Sequence, residues 1–447
     1  MKIGIILSLL FVCNSFILSA QSSVNTYIEK GLESNLVLKQ LDFELDAALH
    51  ALSAAKAERS INLDFLPQYT LAAGGRRIAF PAGDLLNPVY NSLNELTASN
   101  QFPTVENVNE LLNPNNFYDV KVRATYPILN AQIGVNNSIK ILQSDLVRQD
   151  IEIYKSQLKE QIATAYFDIL QAKEAVVILE SAQQLIQESL RVNQSLFNNQ
   201  KITRTAVLQN EQDLVNIDKD LKNAALQVDN AKAYLNFLIN VPLDSPVELD
   251  SLIALPDLEV LANADVSQRE ELDKLNTAVQ LNQQLIDLAK TYRKPELNAF
   301  VDLGMQDFNF NVDGNSFYAL GGLTMRLNIF DGKKGKENIK KEQSLMQARI
   351  QELQFTETQL DLELRTTSNE LEQSIATYAA ERQSIRVYEK IYSDKLSLYK
   401  NGKINYINLL EARNDLINAQ LMTNLALFEA WSNHAKLIRV GAISFNY

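Results

Sequence analysis

From about Ala131 to Asn198 the chain contains no proline, and Tyr154, Leu158, Ile162, Ala165, Ile169, Ala172, Val176, Leu179, Ile186, Leu190 and Phe197 recur at three-and-four spacing. That period puts them on one stripe of a helix of about 65 residues, roughly 100 Å long at 1.5 Å per residue. No single globular core is that wide. A second run, from about Gly335 to Lys400, repeats the pattern through Ile350, Leu353, Leu360, Leu364, Leu371, Ile375, Tyr378, Ile385, Tyr388, Tyr392 and Leu396. The two runs predict coiled-coil-like packing of very long helices.

The ends of the two runs are copies of each other. Ser195 to Asn210 reads SLFNNQKITRTAVLQN and Ser397 to Ala412 reads SLYKNGKINYINLLEA; an offset of 202 aligns Leu196 with Leu398, Phe197 with Tyr399, Asn199 with Asn401, Lys201 with Lys403, Ile202 with Ile404 and Leu208 with Leu410. A glycine inside the second copy, Gly402, accepts a positive φ and lets one helix end and the next fold back. Asn199 and Gln200 face the same turn in the first copy, with asparagine the better suited to the left-handed region. Thr203 and Asn405 are then expected to cap the returning helices. Shorter helical stretches flank each long one, at about Val24 to Arg59, Thr203 to Asn240, Val266 to Arg293 and Asn405 to Val440.

Between helices the period changes from 3.6 to 2. Val120, Val122, Ala124 and Tyr126 alternate with Lys121, Arg123 and Thr125, and Leu297, Ala299, Val301, Leu303 and Met305 alternate with Asn298, Phe300, Asp302 and Gly304. Strands are expected at about 65–73, 117–128, 296–306 and 317–329, each near the length of a tilted membrane strand. Four strands cannot close a barrel alone, so copies of the chain must share one. The connection 307–316 is short, whereas 74–116 is a long polar loop rich in Pro and Asn, of the kind that faces outward. The expected plan is therefore two helix-strand-strand-helix-helix repeats. The first spans 21–240 with its helical hairpin at 131–240, and the second spans 266–447 with its hairpin at 331–440. A proline-bearing connector at 241–265 separates them.

Residues 1–20 carry Lys2, an apolar core and a small-residue exit at Ser19-Ala20, which reads as a signal peptide. The only cysteine, Cys13, lies inside it, so the mature chain is expected to lack thiols. No run of 18 apolar residues follows, which leaves a closed barrel as the way into a bilayer. A formal charge of −12 with 42 Lys and Arg against 54 Asp and Glu excludes a phosphate-binding stripe, and with it nucleic acid as a partner. His50 and His434 have no partner at metal-binding spacing, and no nucleophile elbow or phosphate loop appears, so neither enzyme activity, metal nor cofactor is expected.

With these features, the chain resembles the TolC-like outer-membrane efflux protein family, in a subgroup associated with Bacteroidetes. The resemblance rests on the joints Tyr126-Pro-Ile-Leu-Asn-Ala131 and Leu327-Asn-Ile-Phe-Asp-Gly332, on the glycine turn, and on the loop segments from Arg76 and Pro114. It implies an α+β membrane protein: a homotrimer whose protomers give four strands each to one 12-stranded barrel in outer-membrane lipid. The helices of such a trimer form a coiled-coil α-barrel in the periplasm of a Gram-negative bacterium. It also implies a periplasmic adaptor and an inner-membrane pump docked at the helical end, with the chain as a passive exit channel of a tripartite efflux or type I secretion system. A structural coiled-coil or adaptor protein of an export complex is the alternative.

The resemblance also assigns site residues. Tyr399 and Gly402 match the family's turn; of the two acids expected after it, Asn408 departs and Glu411 matches, giving Tyr399, Asn408 and Glu411 as gate residues. The corresponding acidic position of the first repeat is Ala206, and a basic locking residue falls on Ile404. Lys201, Lys403, Arg204 and Tyr406 are expected to be exposed, and with Asn199, Gln200 and Gly402 to form the tip that meets an adaptor.

Overall fold

The computed structural model describes residues 23–250, 254–258 and 264–445. The signal peptide expected at 1–20 lies outside the described residues, as do 251–253 and 259–263 of the connector. The long proline-free runs are single helices, α4 over Ala131–Asn198 and α7 over Lys334–Lys400. Each begins at a cap supplied by its strand-to-helix joint. Asn130 Oδ1 accepts from Gln132 N at 2.9 Å, and Asp331 Oδ2 accepts from Gly335 N at 2.7 Å. The first amides of a helix lack internal acceptors, which is why an Asn and an Asp stand there.

The remaining helices are α1 (Ser23–Ser34), α2 (Leu36–Ala57), α3 (Ala82–Thr97), α5 (Arg204–Leu238), α6 (Glu270–Lys290) and α8 (Tyr406–Val440). The single helix expected over about Val24–Arg59 is two, because buried Asn35 interrupts it. Its Oδ1 accepts from Val37 N and Leu38 N at 2.9 and 3.2 Å, and its Nδ2 donates to Leu238 O at 2.9 Å. An asparagine side chain that captures neighbouring amides restarts a helix even where the apolar period continues.

The chain packs into two compact units that cut across the duplication. One gathers the described residues up to Leu49, Leu142–Leu281 and the chain from Leu345 onward. Its core is the middle of α4, where Leu158, Ile162, Tyr166 and Ile169 are fully buried against Tyr27 and Ile28 of α1, Leu235 of α5 and Phe428 of α8. A Cβ added to Gly31 would stand 2.2 Å from Ile162 Cδ1, so glycine is what permits α1 to lie this close to α4. A charged cluster ties the same unit together. Buried Arg269 pairs with Glu271 through two bonds of 2.6 and 2.9 Å, and its Nη1 donates to Arg439 O and Val440 O at 3.4 and 3.3 Å, the last carbonyls of α8. Arg439 in turn donates to Glu160 of α4 and, at 2.8 Å, to Glu363 of α7. Buried cations are tolerated because each is paired and also meets a helix C-terminus or a second acid.

The other unit, His50–Ile141 with Asn282–Ser344, carries an antiparallel sheet in the order β1-β4-β5-β6. These strands are Asn62–Thr70, Phe117–Leu129, Glu296–Phe308 and Phe317–Arg326. The first starts three residues before the expected 65–73 and holds Pro67, a residue that sheets take on the outermost strand of a chain rather than a central one. The last ends before the expected 329. Register puts Phe65, Val122 and Leu303 in one cross-strand row and Asp64, Arg123 and Asp302 in the next, so the sheet has an apolar face and a charged one. On the charged face Arg123 grips Asp302 through two bonds of 2.7 Å and lies over the Phe300 ring.

The segment 74–116 is not the plain loop expected. It contains α3 and a separate two-stranded antiparallel sheet, β2 (Arg77–Phe80) against β3 (Val108–Leu111), with α3 between the two strands in sequence. Pro81, Gly83, Pro88 and the asparagines read as loop signals, yet the asparagines bond the helix to the returning chain, and α3 runs through Pro88.

Candidate functional site

Both helix ends at the duplicated turns close in the same way. Lys201 N donates to Leu196 O and Lys403 N to Leu398 O, each at 2.9 Å, while the preceding residue takes a positive φ: +59° at Gln200 and +71° at Gly402. This is the six-to-one closure that needs a left-handed residue just past the helix. The left-handed position of the first turn is thus Gln200 rather than Asn199. Asn199 and its counterpart Asn401 instead donate from Nδ2 to Ser195 O and Ser397 O, both at 2.8 Å. Thr203 and Asn405 sit at the N-cap positions of α5 and α8, but neither side chain makes the expected capping bond.

Just behind the turns, side chains of the two hairpins meet in a buried polar network. Tyr399 Oη donates to Asn193 Oδ1 at 2.5 Å, and Asn193 Nδ2 donates to Asn210 Oδ1 at 3.1 Å. Tyr406 Oη stands 2.8 Å from Asn210 Oδ1 and 3.0 Å from Asp213 Oδ2, with one proton to give to either. Arg413 Nη2 donates to Asp213 Oδ2 at 2.9 Å, and Nη1 reaches Tyr406 Oη at 3.5 Å. Burial pushes both Tyr399 and Tyr406 hydroxyls up to about 12, which keeps them protonated as donors. Arg413 is 4% exposed and Asp213 17%, so the pair works in a poorly solvated setting where charge attraction is strong. The bonds of Tyr399 to Asn193, of Tyr406 to Asn210 and Asp213, and of Arg413 to Asp213 fasten α4 and α5 to α7 and α8, and these must break if the hairpins separate. Between the two turns lies a cleft of about 370 Å³ walled by Lys201, Thr205, Gly402 and Ile407.

Residues 262–439 match the profile of a family described as outer membrane efflux protein. Over that stretch, two-fifths of its length, the chain is similar to outer membrane efflux proteins. Solved outer-membrane channels share the fold of this chain across nearly its whole length. The CmeC outer membrane channel of Campylobacter jejuni superposes with a TM-score of 0.74 at 17% identity, covering 94% of this chain and 86% of that one. VceC of Vibrio cholerae gives 0.75 at 15% identity, covering 94% and 96%. The open state of the Neisseria gonorrhoeae MtrE channel gives 0.69 at 16% identity, covering 94% and 89%. None of the curated proteins matches the chain by sequence.

The expected tip residues separate into two groups. Asn199, Gln200, Lys201, Arg204, Gly402, Lys403, Asn408 and Glu411 are exposed. Tyr406 is not, contrary to expectation; it is 5% exposed, and Tyr399 is 3% exposed, so both belong to the network between hairpins. Sequence reasoning missed Asn193, Asn210, Asp213 and Arg413. It also missed Asp415, exposed four residues after Glu411 and therefore on the same face of α8. The i, i+4 acid pair was the available signal for Asp415. The network carries no such signal, since its members are polar residues within apolar stripes of helices far apart in sequence.

Proposed function

We propose that this chain is an outer-membrane efflux protein, the passive exit duct of a tripartite export system, built as a homotrimer and gated at its helical turns. The observation that carries the reading is the sheet with two open edges. Strands β1 and β6 each pair on one side only among the described residues. Unpaired backbone groups are not tolerated in hydrocarbon, and four strands are too few to close, so copies must join edge to edge. Three copies give the 12-stranded barrel of the resemblance, with Val122, Val301 and Leu303 toward lipid and the Asp119, Lys121, Arg123 and Asp302 face toward the lumen.

Gating follows from the network behind the turns. Asp213, Tyr406 and Arg413 latch one hairpin to the other within each protomer, and release lets the turns spread. The latch is suited to release because Arg413 Nε is buried without a hydrogen-bond partner, so the desolvation of the cation is not fully offset. Glu411 and Asp415, exposed on one face of α8, supply two rings of carboxylates at the pore mouth in place of the acid absent at Asn408. Such rings concentrate cations and repel anions. Lys201, Arg204 and Lys403, with the turns at Asn199, Gln200 and Gly402, form the surface for a periplasmic adaptor, and an inner-membrane pump supplies the cargo.

Planar-bilayer recording tests the reading. The wild-type protein gives cation-preferring channels of low conductance. Glu411→Gln combined with Asp415→Asn lowers the cation preference, and Asp213→Ala raises the conductance. Unchanged selectivity in the first variant would remove both acids from the pore mouth.

A further inference from the structure

Helix α3 is packed inside out. Gly83, Asn87, Tyr90 and Asn94, spaced by four, three and four, share the face turned to the chain's own return segment. Asn87 Nδ2 donates to Val105 O at 2.9 Å and its Oδ1 accepts from Val105 N at 2.8 Å. Asn94 makes the same pair with Phe102, at 2.8 and 3.1 Å. A Cβ on Gly83 would stand 2.4 Å from Val105 O, so the helix start touches backbone. The apolar side chains point the other way: Leu85 is 60% exposed, Val89 54% and Leu96 84%. A surface helix ordinarily buries its apolar stripe and shows its polar one. Here the polar stripe is already used by the chain's own backbone, and the apolar stripe is left for something else.

We propose that this stripe packs against a second copy of the chain, across the seam where β1 of one copy meets β6 of the next. The inference rests on the barrel reading above and adds a clasp outside it. Thr70 pairs with Phe117 and Phe117 with Phe308, and Asn309 N donates to Asn116 O at 2.7 Å. The segment after β1 and the turn before β6 therefore leave the sheet at the same end. When copies close edge to edge, the 71–116 segment of one stands beside the 309–316 turn of its neighbour. That otherwise polar turn also presents apolar side chains, with Phe310 64%, Val312 61% and the following Phe317 62% exposed, Phe310 resting by one face on Tyr69 of its own chain. Two sets of exposed apolar side chains that flank one seam are the complementary halves of a contact.

The mature chain as read has no cysteine, which permits a clean crosslinking test in the full-length protein. Two differently tagged versions are co-expressed, one with Val89→Cys and the other with Val312→Cys, and the unheated trimer is oxidised. The expected result is a mixed-tag disulfide dimer, formed several-fold more than when Val89→Cys is partnered with Leu226→Cys on α5. In addition, Leu85, Val89 and Leu96 changed together to Ser lower the temperature at which the trimer dissociates on a detergent gel. A trimer with no mixed-tag product above the control, or with unchanged dissociation temperature in the Ser variant, overturns the clasp and leaves the channel reading intact. A chain that runs as a monomer unheated overturns both.

Discussion

Gln200 and Gly402 hold equivalent positions 202 residues apart with φ of +59° and +71°, but only glycine does so without steric cost. A left-handed non-glycine residue costs about 1 kcal/mol. Gln200→Gly is therefore expected to stabilise the protein by up to about 1 kcal/mol, and Gly402→Ala to destabilise it by a similar amount, read as opposite shifts of the thermal midpoint. A Cβ at Gly402 meets nothing within 4 Å, so the second change isolates the backbone effect. Gly402 was legible as a turn because glycine interrupts a long helical pattern. Gln200 was not, because only the backbone reveals that it rather than Asn199 takes the left-handed conformation. His434 makes a second prediction at this scale. Burial pushes it down to about 4, with the Asp257 carboxylate opposing. Its folded value is depressed, so below about pH 6.5 the unfolded chain takes up a proton that the folded chain refuses. Stability falls as pH drops from about 6.5 to 4 and is flat with respect to this group below that, a loss of about 3 kcal/mol in all. His434→Gln should flatten that part of a stability-versus-pH curve; a curve identical to wild type would mean the imidazole is not held neutral.

The elements were legible where a single period runs unbroken. Residues 131–198 and 334–400 are helices because their apolar stripes persist with no proline, and β4 and β5 are strands because Val120 to Tyr126 and Leu297 to Met305 alternate. Side-chain capture of backbone is what the pattern hides. Asn35 splits α1 from α2, while Asn87 and Asn94 hold α3 in a segment whose prolines read as loop. The network behind the turns belongs here as well, since it joins helices from two hairpins. Removing one partner of the Arg413–Asp213 pair leaves the other charge poorly solvated, and Asp213→Ala is expected to destabilise the helical unit by about 3 kcal/mol. Tyr406→Phe removes one hydroxyl and is expected to cost about 1 kcal/mol. Thermal unfolding of the two variants compares them directly. Equal effects would mean the charge pair adds nothing to the tyrosine.

At the scale of the whole molecule, the sequence was informative through what it lacks. No described helix is long and apolar enough to cross a membrane, yet the strands carry an apolar face with exposed Phe65, Leu303 and Leu323. That face and the edges of β1 and β6, unpaired among the described residues, are what the proposal of a barrel closed by copies of the chain rests on. The number of copies rests on the resemblance, because the sheet fixes how edges meet but not how many chains meet. The most direct test is to fractionate the cell envelope and run the protein unheated in mild detergent beside a heated sample. The account predicts outer-membrane material that migrates as a trimer unheated and as a single chain after heating. A soluble or inner-membrane monomer would contradict it.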